Sequence, residues 1–219
     1  MTLAGIDEAG RGCLIGPLVI AGLTISEYEQ KKLIDFGVKD SKMLSAKKRE
    51  ELTFKIALIA KNIKYFPIEP KFIDIVVNRN IKLKKLNYLE AMGMAKIIRD
   101  LDPSEAYVDA ADVNPTRFAE QILAVLPRKP KLVCEHKADS RYVVVSAASI
   151  LAKVKRDSII TELKKIYGDF NSGYPSDPKT ILWLKDWYSK NNSIPEQVRS
   201  SWAPVKKIQN NGFFAKTNA

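Results

Sequence analysis

Between Leu3 and Glu135 the chain carries five short runs rich in Ile, Val, Leu, Tyr and Phe, at roughly 3–8, 17–25, 63–68, 105–109 and 131–135. Each is bounded by Gly, Pro, Asp or Asn, the pattern of a strand. Their spacing constrains the fold most. The first two lie too close together for a parallel crossover, so they predict an antiparallel pair; the later ones are separated by whole helices and can run parallel. The expected architecture is a mixed, five-stranded α/β sheet flanked by helices, with a helical C-terminal part.

Local signals place the helices. Ser45 reads as the cap of a helix over 46–61, and Asn87 with Glu90 reads as a capping-box-like start to a helix reaching Arg99. Asn114-Pro115 opens another, with Pro at the first helical position. The spacing of Ala147, Ile150, Leu151 and Val154 predicts a long helix over about 143–166, which Gly168 could end. Asp177-Pro178 and Ser193-Ile194-Pro195-Glu196 predict two further starts.

Composition narrows the class. In 219 residues, 46% hydrophobic and 28% charged residues exclude disorder as the main state. Cys13 and Cys134 form no C-x-x-C pair, which argues against a disulfide scaffold or a structural zinc site. The longest apolar run, Cys13 to Ile25, is too short to span a membrane and follows Asp7, Glu8 and Arg11 rather than a basic leader. The expectation is a soluble, cytoplasmic, monomeric protein. The net charge of +11 fits either a solvated lysine-rich surface or a polyanion partner. Its distribution is uneven: residues 1–30 hold one basic and four acidic groups, and 100–152 hold six basic and eight acidic. Such a pattern would suit a carboxylate cluster inside a positive rim.

The acids stand where strands end. Asp7 and Glu8 close the first run, Asp109 closes the fourth, and Asp139 follows the fifth. Acids are depleted in strands, so these positions ask for a reason, although turn and capping roles remain open for each. Successive strand side chains point to opposite faces, so Asp7 and Glu8 share a site only where the strand twists or ends. Asp112 has an easy role in turn and capping chemistry. His136 is the only histidine, which rules out a histidine-based metal site, and no G-x-S-x-G supports serine-triad chemistry. An all-oxygen set suits Mg²⁺ or Mn²⁺, and two such ions about 4 Å apart can activate a water and stabilise a leaving oxygen.

Five ordered motifs then carry a resemblance: Gly5-Ile6-Asp7-Glu8-Ala9-Gly10-Arg11-Gly12; Asp40-Ser41-Lys42; Asp109-Ala110-Ala111-Asp112; His136-Lys137-Ala138-Asp139 running into Ser146–Lys153; and Gly173-Tyr174-Pro175. The chain resembles the type 2 ribonucleases H, ribonuclease HII, and the later motifs resemble the archaeal branch. The match runs from residue 3 to about 205. It implies a ribonuclease H-like catalytic domain over 1–205, including the C-terminal helices, and a tail over 206–219. The implied activity is endonucleolytic cleavage of the RNA strand of RNA–DNA hybrids, and cutting 5′ to single ribonucleotides in duplex DNA. The family's catalytic, metal-binding carboxylates fall on Asp7, Glu8, Asp109 and Asp139, with Asp112 a second choice for the third. Two Mg²⁺ or Mn²⁺ ions are implied, Asp7 bridging both, Glu8 and Asp109 completing one site and Asp139 the other. The products would carry 3′-OH and 5′-phosphate ends. Gly10, Arg11 and Gly12 resemble the loop that grips the ribonucleotide, Tyr174 the tyrosine under the sugar, and Lys42 a phosphate contact. Cys13 and Ser140 depart from the expected pattern without removing a ligand.

Two other readings stay open on sequence. A resolvase of the same fold needs the same carboxylates without a 2′-OH reader, and a non-catalytic nucleic-acid-binding module needs only the basic rim. In the tail, Ile208–Phe214 resembles a degenerate sliding-clamp peptide through Phe213 and Phe214, although Gln209 lies too close to the Phe pair for the usual spacing. Packing of the Phe pair back on the domain is the alternative.

Overall fold

In a computed structural model, residues 1–82 and 85–217 are described, 211–217 as backbone only. The strands are β1 (Thr2–Ala9), β2 (Leu18–Ser26), β3 (Asn62–Ile68), β4 (Glu105–Asp109) and β5 (Lys131–Glu135). They form one sheet in the order β3-β2-β1-β4-β5. β1–β2 and β2–β3 are antiparallel, whereas β1–β4 and β4–β5 are parallel. The mixed sheet expected from the spacing is the one observed.

The helices are α1 (Gln30–Asp35), α2 (Ala46–Ile59), α3 (Pro70–Val77), α4 (Leu86–Leu101), α5 (Pro115–Ala124), α6 (Ala138–Arg141), α7 (Val143–Tyr167), α8 (Pro178–Asn191) and α9 (Ala203–Thr217). Ser45, Asn114 and Asp177 cap α2, α5 and α8 through their side chains, as their positions predict. Gly168 ends α7 at φ 80°. Two local readings fail. Lys85, not Asn87, is the N-cap of α4, and both Asn87 and Glu90 are turned into the protein. The Pro195 segment starts no helix, because its backbone is drawn into a bridge between Ile15 and Val198 and the next helix waits until Ala203. The short helices α1 and α3 are additional to those expected from the sequence, although α3 opens with Pro70 at its first position.

Strand alternation splits the core in two. Leu3, Ala21, Leu23 and Ile25 pack against α7 and α2 on one face; Ala4, Ile6, Leu18 and Ile20 pack against α4 and α5 on the other. The long helix lies very close to β1. A Cβ on Gly5 would sit 2.1 Å from the Val144 carbonyl oxygen, so only glycine lets α7 seat there.

A third cluster joins the segment after β1 to the C-terminal part: Leu14 and Ile15 pack with Ile160, Phe170, Leu184 and Val198. Backbone bonds reinforce it, with Leu14 and Ile15 N–H donating to the Gly173 carbonyl and Gly16 N–H to that of Gln197. This stitching carries Tyr174 to the end of β1. α9 runs across the 205/206 boundary, with Ile208 packed on the third cluster. The side chains of Phe213 and Phe214 lie outside the described residues. Among the described residues, no helix is long and apolar enough to cross a membrane.

Candidate active site

β1 and β4 are parallel neighbours whose last registered pair is Ile6–Val108, so Asp7 and Asp109 stand side by side one step further on. Both lie on the α7 face. Asp139 reaches the same point from α6, where its backbone carbonyl accepts from the Ser146 hydroxyl at the start of α7. Carboxylate oxygens of Asp7, Asp109 and Asp139 lie within 4.8 Å of one another. Asp139 therefore caps no helix; it sits in the first turn of α6, buried like Asp7. Glu8, the next residue along β1, points to the α4 face and lies outside this trio. It still lines the same cleft, because the strand ends there.

The cleft has a volume of about 430 Å³. Gly10, Arg11, Gly12, Lys42 and Tyr174 line it together with the four carboxylates, so every position singled out in the sequence for substrate or metal faces one cavity. The electrostatics are severe. Burial is the main cause that pushes the Asp7 carboxyl up to about 7, opposed by a bond from Ser149 and reinforced by Asp109. Burial, then the charge of Asp7, raises Glu8 well above the usual carboxylate range, and burial raises Asp109 despite the Ala138 N–H that donates to it at 2.9 Å. One oxygen of Glu8 is buried without a hydrogen bond. Like charges this close and this dry call for a counter-charge. Lys42, its ammonium 3.6 Å from Asp139 and its pKa raised by that carboxylate, supplies part of it. An all-oxygen donor set with an orphaned carboxylate oxygen fits hard divalent cations and would suit no thiophilic metal.

The loop after β1 is held from three sides. Gly10 adopts φ +83°, and an added Cβ would meet the Arg156 side chain at 2.7 Å. Arg199, fully buried, donates to the carbonyls of Gly10 at 2.7 Å, Arg11 at 2.6 Å and Gly16 at 3.1 Å. Arg11 turns toward α4, its Nε 2.9 Å from Glu90 and an Nη 2.5 Å from Asn87 Oδ1. Gly12 has nothing within 4 Å of where a Cβ would be. Arg156 lies over the Tyr174 ring at 4.8 Å and so ties that ring to Gly10.

Asp112 is buried outside the trio. It accepts from Asn87, Arg117 and the Asn114 N–H, and these bonds outweigh burial to hold its pKa low. Arg156, Arg199 and Ser149 carry no individual signal in the sequence, and Asn87 with Glu90 has the spacing of a cap. A lone arginine in a polar segment carries no signal of its own. The two helix residues carried one, since an acid at i+3 from Asn87 inside an otherwise apolar turn is unusual.

The comparisons agree with this geometry. The sequence profile of the ribonuclease HII family matches residues 4–205. Ribonuclease HII of Pyrococcus furiosus is 49% identical over 209 residues, covering 95% of this chain and 92% of that protein. The crystal structure of the Pyrococcus horikoshii ribonuclease H2 superposes with a TM-score of 0.88 at 45% identity, covering 96% of this chain and 98% of the other. The ribonuclease HII of Archaeoglobus fulgidus, solved in complex with PCNA, gives 0.83 at 42% identity over 94% and 96% of the two chains. This chain belongs to the ribonuclease HII family, and with that family it is a metal-dependent endoribonuclease that acts on RNA paired with DNA.

Proposed function

We propose that the enzyme also cuts on the 5′ side of a single ribonucleotide embedded in duplex DNA, using two Mg²⁺ or Mn²⁺ ions and leaving 3′-OH and 5′-phosphate ends. The observation that carries this reading is the convergence, in one cleft, of a carboxylate cluster with the Gly10-Arg11-Gly12 loop and Tyr174. Asp7, Asp109 and Asp139, with Glu8, would hold the ions. Ions so held supply an activated water and stabilise the departing oxygen of the phosphodiester.

The remaining work falls to the chain's own groups. Gly12 leaves room for close backbone approach to a ribose, and the loop's fixed polar groups can distinguish a 2′-OH from a 2′-H. Tyr174, its ring backed by Arg156, offers a flat apolar surface for the sugar. Lys42 keeps its proton beside Asp139 and stands exposed at the cleft, placed to hold a backbone phosphate. Lys153 bonds Ser41 and Ser149 and thereby fixes the segment that carries Lys42 to α7.

The test is metal-dependent cleavage of one duplex with and without a single ribonucleotide, with the cut mapped. A cut at the phosphodiester 5′ to the ribonucleotide, absent with chelator, is expected. Equal cutting of the all-deoxy duplex would instead support the resolvase reading.

We also propose a sliding clamp as partner, through Phe213 and Phe214. Support comes from the Archaeoglobus fulgidus relative, which was solved with PCNA. Removing residues 211–219 spares the packed Ile208 and should abolish clamp binding; unchanged affinity refutes the assignment.

A further inference from the structure

Glu90 lies on α4 with its side chain fully buried, on a helix whose neighbouring Ala91 and Met94 belong to the apolar core. Among the described residues Arg11 is the cation in ion-pair contact with it, and neither of its carboxylate oxygens has a well-formed hydrogen bond. An arrangement like this is poor for stability. A buried ion pair with incomplete hydrogen bonding commonly stabilises no more than a neutral replacement would. The burial of this charge therefore asks for another explanation.

Arg11 supplies it. The Arg11 side chain does not reach across the cleft; it runs back to α4, held by Glu90 at 2.9 Å and by Asn87 at 2.5 Å. Asn87 is itself fixed, since its amide donates to Asp112 at 3.1 Å. On the opposite side Arg199 ties the loop's carbonyl oxygens. The side chain of Arg11 and the carbonyls of Gly10 and Arg11 are thus all engaged with the protein. What remains directed to the cleft is the open surface around Gly12.

We propose that Glu90 is a positioning residue for ribonucleotide recognition: by anchoring Arg11 on α4, with Asn87 as its second hold, it fixes the loop in the conformation that reads the 2′-OH. The proposal rests on the reading of Gly10-Arg11-Gly12 as the ribonucleotide-recognising loop. It makes Arg11 a fastener of that loop, with recognition left to the backbone.

The test is a double-mutant cycle on kcat/KM for a duplex holding one ribonucleotide, with thermal unfolding measured on every variant. Glu90→Gln keeps the shape and removes the charge. It should lower kcat/KM on the order of tenfold, mainly through KM, with Tm unchanged or raised. Arg11→Ala should give a similar loss, and the double variant should be no worse than Arg11→Ala, because Glu90 acts through Arg11. Asn87→Ala, which leaves the Arg11–Glu90 ion pair in place but removes the second hold on Arg11 and one donor to Asp112, should shift the same ratio in the same direction. Multiplying penalties in the double variant, or wild-type kcat/KM in Glu90→Gln, overturns the assignment. An all-deoxy duplex run beside it separates the two levels. If wild-type enzyme cuts both duplexes alike, the reading of the loop has failed; if wild type discriminates but the cycle is additive, only the role of Glu90 has failed.

Discussion

Replacing Asp7 by Asn should inactivate the enzyme and at the same time stabilise its metal-free form at alkaline pH. Asp7 is buried among Asp109 and Asp139, and its carboxyl is pushed up from 3.8 to about 7. Its folded pKa thus lies above its unfolded one, so the folded state holds the proton more tightly. The resulting destabilisation is absent below pH 3.8, grows as pH rises, and is complete above about 7. A displacement of that size corresponds to roughly 4 kcal/mol, an upper figure because the cluster shares its protons among several groups. Asn keeps the shape and can still accept from the Glu8 N–H that bonds Asp7 Oδ1 at 2.7 Å. A gain of about 2–3 kcal/mol at pH 8 is therefore expected, or roughly 5–10 °C in Tm for a chain of this length. Calorimetry with chelator at pH 8 and at pH 4 measures it. The Tm gain should be present at pH 8 and vanish at pH 4, and added Mg²⁺ should stabilise wild type more than the variant. Cleavage dependent on Mg²⁺ or Mn²⁺ should be lost while hybrid binding is largely kept. An Asp7→Asn protein that is no more stable than wild type at pH 8 without metal would refute the electrostatic account, and full activity would refute the metal role.

Gly5→Ala should destabilise by about 2–3 kcal/mol, because its Cβ would fall 2.1 Å from the Val144 carbonyl oxygen and α7 must move away from β1. Denaturant unfolding checks this, and a loss below about 0.5 kcal/mol would show that the helix seats without difficulty. Tyr174→Ala should weaken discrimination between ribonucleotide-containing and all-deoxy duplexes more than overall duplex affinity. Equal losses in both would leave Tyr174 as a packing residue.

Much of the fold was legible locally. Strand runs, the capping roles of Ser45, Asn114 and Asp177, and the stop at Gly168 depend on neighbours within a few residues, so the chain announces them. The failures share one cause. Asn87 and Glu90 carry the spacing of a capping box, but Arg11, seventy-six residues from Asn87, offers them a better partner. Ser193–Glu196 has helix-start chemistry, yet the chain makes a single turn closed by Val198 N–H on the Pro195 carbonyl and is then taken up by the Ile15–Val198 bridge and the burial of Arg199 under the loop. Strand alternation was read correctly for Asp7 and Glu8, which do face opposite sides; where the strand stops, opposite sides still border one cleft.

By itself the sequence determined the type of chemistry: acids at three strand ends, a glycine-rich turn after the first, and a basic surplus elsewhere, all fixed by residue type and local spacing. Only the tertiary structure decided how these parts act on one another. It set the trio of Asp7, Asp109 and Asp139 apart from Glu8, gave Asp112 to Asn87 and Arg117, and pinned the Arg11 side chain to α4 at the edge of the cleft. The physical reason is the range of the forces. Backbone propensity is settled within a turn or two, whereas desolvation and charge depend on which residues from distant segments are enclosed together.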